Sequence, residues 1–296
     1  MTVTAAGESR PARLEVGTWT RPWTSFGLET AIEHARAIGF RDIGLMTAGL
    51  RADGNGSRYV IEPEDDAAHV QRVDELVRAS GLRLAIVLTR SRFQDVEQAV
   101  PFLRRSIDQA QQLGARFLLT GGTSRPEEYE TFFATMQAVM EYAAEAGVDV
   151  VMKPHGGLSA TAAACVAAAR RVGSPHFGIC WDPGNVWAYT KTPPEEDFAA
   201  VAPHVRAVCL KGSPRPDQDQ PEGTERTGRW NTGRSWSVPP GLGRVNWRYQ
   251  FGVLREHGFS GPCLIETLPG ETIDAIDAAA VDTKRHFEDL FASLAG

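Results

Sequence analysis

The feature that most constrains this chain is an alternation carried through eight rounds. Short runs rich in β-branched and apolar residues each precede a longer stretch with helical spacing of its apolar residues. The short runs are RLEVGTWT (13–20), DIGLMTAG (42–49), LRLAIVLTR (82–90), ARFLLTGG (115–122), VDVVMKPHGG (148–157), FGICWDPGNVW (177–187), RAVCLKGS (206–213) and GPCLIETL (261–268). Gly81, Gly114, Gly147 and Gly173 close helical stretches, as C-terminal caps do. Runs that are apolar on both faces belong to a parallel sheet covered by helices. One strand–helix unit per roughly 37 residues predicts a closed (β/α)8 barrel, which takes about 250 residues plus insertions. A doubly wound open sheet is the alternative, but no glycine-rich phosphate turn follows the first run and the chain does not break into halves.

The composition limits the function. Of 296 residues, 37 are acidic and 31 basic, and the net charge of −6 is a poor match to a protein that grips nucleic acid by its phosphates. No apolar run approaches the roughly 20 residues that span a bilayer. The opening MTVTAAGESRPAR lacks the apolar centre of a secretory signal, so residues 1–12 are expected to be a disordered tail and 13–296 the barrel. Cys165, Cys180, Cys209 and Cys263 are widely spaced and form no CxxC, which fits reduced thiols in a cytoplasmic protein.

One connection is abnormally long. Between RAVCLKGS and NWRYQ some thirty residues show no hydrophobic period but carry Arg215, Arg226, Arg229, Arg234, Trp230 and Trp236. Loops of this length in a compact domain are functional or disordered, and bare disorder seldom includes two tryptophans. The stretch 214–244 reads as a lid over the barrel mouth, with a solvated or dimer-contacting loop as the alternative.

In a barrel the chemistry sits where the strands end. Those ends supply Lys153 and His155 from the fifth run, Asp182 from the sixth, Cys209 and Lys211 from the seventh and Glu266 from the eighth. Because a strand alternates faces, Lys153 lies on the side of Val151, Asp182 on that of Cys180, Lys211 on that of Cys209 and Glu266 on that of Leu264. The plainer reading of two carboxylates and two ammoniums is mutual neutralisation. Asp182 also begins Asp-Pro-Gly-Asn, where a turn-forming role competes and Asn185 could point back into the mouth. His155 precedes two glycines, where a ligand can approach the backbone closely. Trp19, Trp23, Trp181 and Trp187 also fall near strand ends, where aromatic faces suit the apolar side of a sugar, although core packing accounts for Trp181 equally well.

These residues resemble the xylose isomerase-like TIM-barrel superfamily of sugar isomerases and epimerases, inosose dehydratases and endonuclease IV-type enzymes. VVMKPHGG resembles that family's strand ending in Glu-x-His-Gly, and GICWDPGN its Asp-x-Gly-His/Asn turn. RAVCLKGS resembles its His-x-His-Leu-Lys-Asp strand, and the stretch from Pro240 through Trp247 to Glu266 its Pro-Gly-x-Gly, Trp and Ile-Glu pattern. The resemblance implies a divalent cation held by Glu, Asp, His and Glu, positions that are Lys153, Asp182, Cys209 and Glu266 here. A protonated lysine cannot ligate a metal, whereas a thiolate can bind zinc. The expectation is a weakened or absent metal, with Lys153 in its place. The alternative keeps Mn, Mg or Zn on Asp182, Glu266, His155 and Cys209.

The leading function is an isomerase/epimerase-like enzyme working by proton transfer on a small carbonyl or polyhydroxylated metabolite. Glu266 or Asp182 would be the base, Lys153 or Lys211 the oxyanion partner, and His155 an acid or a hydrogen bond to substrate. Trp19, Asn185, Trp187, Cys209 and Arg234 are the expected substrate-binding residues. A derived lyase or cyclase using Lys153, with a Schiff base as its sharpest form, and a non-catalytic small-molecule-binding barrel are the alternatives. A nuclease of the endonuclease IV kind is disfavoured by the shortage of strand-end histidines. A homodimer is an open expectation, since barrels of this kind often pair.

Overall fold

The computed structural model describes residues 14–50, 57–90, 92–213 and 239–295. Eight parallel strands close on themselves: β1 (Val16–Trp19), β2 (Asp42–Leu45), β3 (Arg83–Leu88), β4 (Phe117–Thr120), β5 (Asp149–Met152), β6 (Phe177–Trp181), β7 (Val205–Leu210) and β8 (Cys263–Ile265). Each pairs with its neighbours in sequence, and β8 returns to β1 in the register Val16–Cys263, Gly17–Leu264, Thr18–Ile265. The expected (β/α)8 barrel is therefore the observed fold, with the outer helices α1 (Leu28–Ala37), α2 (Ala67–Ser80), α3 (Val96–Gln112), α4 (Tyr129–Glu145), α5 (Ala162–Val172), α6 (Pro183–Thr190), α7 (Phe198–Val201), α8 (Trp247–Glu256) and α9 (Ile273–Ala295).

Strand alternation divides the apolar residues into two layers. Trp19, Met46, Ile86, Phe117, Leu119, Val151, Cys180, Ala207, Cys209 and Leu264 pack together inside the barrel. Their strand neighbours, such as Leu118, Val150, Ile179, Val208 and Ile265, join the larger layer between sheet and helices. Gly44 makes room for the Trp19 indole, because a Cβ there would lie 2.5 Å from its ring. The glycines expected to end helices all have positive φ, and Gly81 and Gly173 are left-handed caps of α2 and α5.

Two local expectations change. The run 42–49 ends as a barrel strand at Leu45, and Thr47–Leu50 instead pairs antiparallel with Ser57–Tyr59 in a separate hairpin. The sixth run stops at Trp181, because Asp182 caps α6: its Oδ1 accepts the Asn185 N–H at 2.9 Å. After His155, Gly157 has no room for a side chain, since a Cβ there would strike the backbone at Thr123 and Ser124. The tail 1–12 and residues 214–238, which include Arg234, lie outside the described residues. Where the chain is described again, the Arg244 N–H donates to Ser213 O at 3.1 Å.

Candidate active site at the barrel mouth

Two residues beyond the interior side chains Val151, Cys180, Cys209 and Leu264 come Lys153, Asp182, Lys211 and Glu266. The alternation that fills the barrel thus delivers four charges to the C-terminal end of its interior. All four are buried, Asp182 and Glu266 completely, with Lys153 the most accessible at 5 %.

They form one connected ring. Lys153 Nζ lies 2.5 Å from Glu266 Oε2 and 3.4 Å from Asp182 Oδ2. Lys211 Nζ lies 2.9 Å from Glu266 Oε1, 3.0 Å from Asn185 Oδ1 and 3.4 Å from Asp182 Oδ2. Arg21, from the turn after β1, also donates to Glu266 Oε1. Asn185 is buried as expected and ties the site together, donating through Nδ2 to Pro154 O at 2.7 Å.

The ring drives its two carboxyls apart. Burial opposes ionisation of Glu266, but the charges of Lys153, Lys211 and Arg21 overcome it and hold that carboxyl well below the usual range. For Asp182 burial prevails, aided by Glu266 and against Lys211 and Lys153, and its pKa is raised. Burial also works against the Lys153 ammonium, yet Cys209, Glu266 and Asp182 outweigh it and raise its pKa above the ordinary lysine value. An ammonium held this way is a cation and a donor rather than the free amine a Schiff base requires.

His155 stands half-buried beside the ring. The imidazole meets Tyr189 of α6, with Nε2 3.0 Å from the hydroxyl and ring centroids 4.9 Å apart. Ser159 fixes this segment, accepting from His155 N and donating to Lys153 O, both at 3.1 Å. Trp187 carries the Arg244 guanidinium 3.5 Å above its ring, so the face offered to a sugar by the sequence is covered by a cation. Trp19 and Cys209, expected to touch substrate, are packed inside the barrel at 1 % and 0 % exposure. Sequence reasoning missed Arg21 and Tyr189. Arg21 opens a short 3-10 helix (Arg21–Phe26) that carries no periodic signal, and Tyr189 lies on α6 just beyond the sixth run.

Residues 32–287 match the sequence profile described as xylose isomerase-like TIM barrel. The chain belongs to that family. No protein of curated function matches it in sequence. Among solved structures it resembles a xylose isomerase domain protein from Planctomyces limnophilus, with 17 % identity over 97 % of this chain and 99 % of that one and a TM-score of 0.67. A xylose isomerase-like TIM-barrel protein from Mycobacterium smegmatis, solved in complex with magnesium, shares 17 % identity over 96 % and 98 % of the chains, with a TM-score of 0.69. The D-allulose 3-epimerase from Methylomonas sp. in complex with D-allulose shares 18 % over 97 % and 96 %, with a TM-score of 0.60. At these identities the likeness is one of fold. Among the described residues no helix is long and apolar enough to cross a membrane.

A family with a magnesium-bound member raises the question of a metal here. Asp182, Cys209 and Glu266 offer ligand atoms within 4.8 Å of one another. Their surroundings do not suit a divalent ion. Both carboxylates already receive Lys153 and Lys211, and a divalent ion 4 Å from one ammonium would be repelled by on the order of 8 kcal/mol at an effective ε of 20. Burial and the neighbouring Cys180, its Sγ 3.7 Å away, push the Cys209 thiol well above its ordinary pKa, so it is a poor source of thiolate. The side chains present do not fit the metal.

Proposed function

We propose that this chain is an isomerase/epimerase-like enzyme that moves a proton at the carbon next to a carbonyl of a small polyhydroxylated or keto metabolite. The observation that carries this reading is the buried ring in which two carboxyls of opposite pKa displacement share two lysines at the strand ends. Paired groups whose environments separate their acidities are suited to acid–base work. Asp182 takes the proton, because its Oδ2 is met by ammoniums only at 3.4 Å and its raised pKa brings it closer to working pH. Glu266 remains an anion that holds the lysines in place. A lysine ammonium stabilises the negative charge that develops on the substrate oxygen. His155, oriented by Tyr189, returns a proton to the intermediate.

The family is largely one of enzymes, and the Methylomonas relative that holds D-allulose is an epimerase, which supports a sugar-like substrate. The test is incubation of the purified chain with ketoses, polyol-derived ketones and keto acids, followed by NMR of the products. A new epimer or isomer supports the reading, and an alkene-containing product would assign the lyase alternative. Saturable binding with unchanged ligand throughout the panel would make the protein a binding barrel.

A further inference from the structure

We infer that Lys153 is this barrel's resident cation, standing at the point where Asp182, Cys209 and Glu266 could enclose a metal, and that its remaining N–H is the donor to the substrate's carbonyl oxygen. The inference concerns the same site as the proposed function. Its first half is tested without turnover, so the two can fail separately.

The first half rests on space and charge. The donor atoms of Asp182, Cys209 and Glu266 lie within 4.8 Å of one another, and Lys153 Nζ is 2.5 Å and 3.4 Å from two of those residues. A divalent ion at about 2.0–2.6 Å from the same oxygens would have to displace the ammonium. The lysine comes from β5, whose alternation aims it inward above Val151, and Ser159 fixes its backbone carbonyl. The cation is therefore delivered by the chain itself, and Asp182 and Glu266 are partners to a side chain.

The second half rests on counting donors. An ammonium has three N–H groups. Lys211 directs its three toward Glu266, Asn185 and Asp182. Lys153 hydrogen-bonds Glu266, makes only an ion-pair contact with Asp182 at 3.4 Å, and is the most accessible of the four charged residues. An N–H remains on Lys153 for a ligand oxygen, and Lys211 is a positioning residue. A site whose cation is a hydrogen-bond donor favours a single carbonyl or enolate oxygen over the paired hydroxyls that a divalent ion would chelate.

The experiment is calorimetric titration of the chelator-treated full chain with manganese chloride, on wild type, Asp182→Asn, Lys153→Glu, Lys153→Glu/Asp182→Asn and Lys153→Glu/Cys209→His, each checked for native circular dichroism. The expected result is no stoichiometric uptake by wild type, one Mn²⁺ per chain in Lys153→Glu, and loss of that uptake on adding Asp182→Asn. Uptake of one Mn²⁺ by wild type that Asp182→Asn abolishes would overturn the inference. So would a folded Lys153→Glu/Cys209→His chain that takes up none, since the lysine would then not be what keeps the metal out.

Discussion

Lys153 Nζ lies 2.5 Å from Glu266 Oε2, joining the end of the fifth strand to the end of the eighth inside the barrel mouth. Because Glu266 also receives Lys211 and Arg21, the pair is asymmetric: the carboxylate has other cations, whereas the cations converge on it.

Glu266→Gln is therefore expected to cost more stability than Lys153→Met. Removing the carboxylate leaves buried positive charges facing one another, a loss of about 3–5 kcal/mol. Removing Lys153 leaves Glu266 with two cations and costs roughly half as much or less. Urea unfolding of both variants measures the difference, and equal losses would contradict the asymmetry.

The two lysines should separate in kinetics. Lys153→Met is expected to lower kcat by about 10²–10³, the loss of one donor to a developing oxyanion, with a smaller change in KM. Lys211→Met should act mainly on stability, with a loss in kcat of about tenfold or less. Steady-state kinetics on the substrate that emerges from the panel checks both.

Glu266 and Asp182 make opposite contributions to the pH dependence of folding. The Glu266 pKa is depressed by folding, so its contribution is present above its unfolded value of about 4.3 and is lost as pH falls through its folded value. The Asp182 pKa is raised, so its contribution is complete below about 3.9 and is lost as pH rises through the folded value. Asp182→Asn should accordingly improve stability at pH 7 relative to its effect at pH 4, whereas the loss caused by Glu266→Gln should be nearly the same at those two pH values and shrink only below them. Unfolding free energies at the two pH values decide it.

Trp181, at the end of β6, donates from Nε1 to Gln250 Oε1 at 2.9 Å, and both residues are buried. Gln250→Leu leaves the indole N–H unsatisfied and is expected to cost about 1–3 kcal/mol while kcat is unchanged. A loss of kcat at full stability would mean that α8 positions the site.

The barrel and its four charged strand ends were legible in the sequence because both follow from strand alternation. The apolar runs give the sheet, and the same period aims Lys153, Asp182, Lys211 and Glu266 inward two residues after Val151, Cys180, Cys209 and Leu264. Residues outside that period were not legible. Arg21 reaches Glu266 from the start of a short 3-10 helix, and Tyr189 meets His155 from α6, an eight-residue helix whose Pro-Gly opening reads as a turn. The burial of Trp19 follows from the room left by Gly44 on the adjacent strand, a tertiary fit that no local pattern announces.

Proton movement at carbon by Asp182, with side chains supplying the cation, is tested most directly by solvent exchange. Wild type and Asp182→Asn are incubated with a turned-over substrate in D2O containing chelator, and deuterium at the carbon next to the carbonyl is followed by NMR. Wild type is expected to incorporate deuterium at an undiminished rate under chelation, and a folded Asp182→Asn chain to lose that incorporation. Exchange that stops when the chelator is added, or that persists in Asp182→Asn, would contradict it.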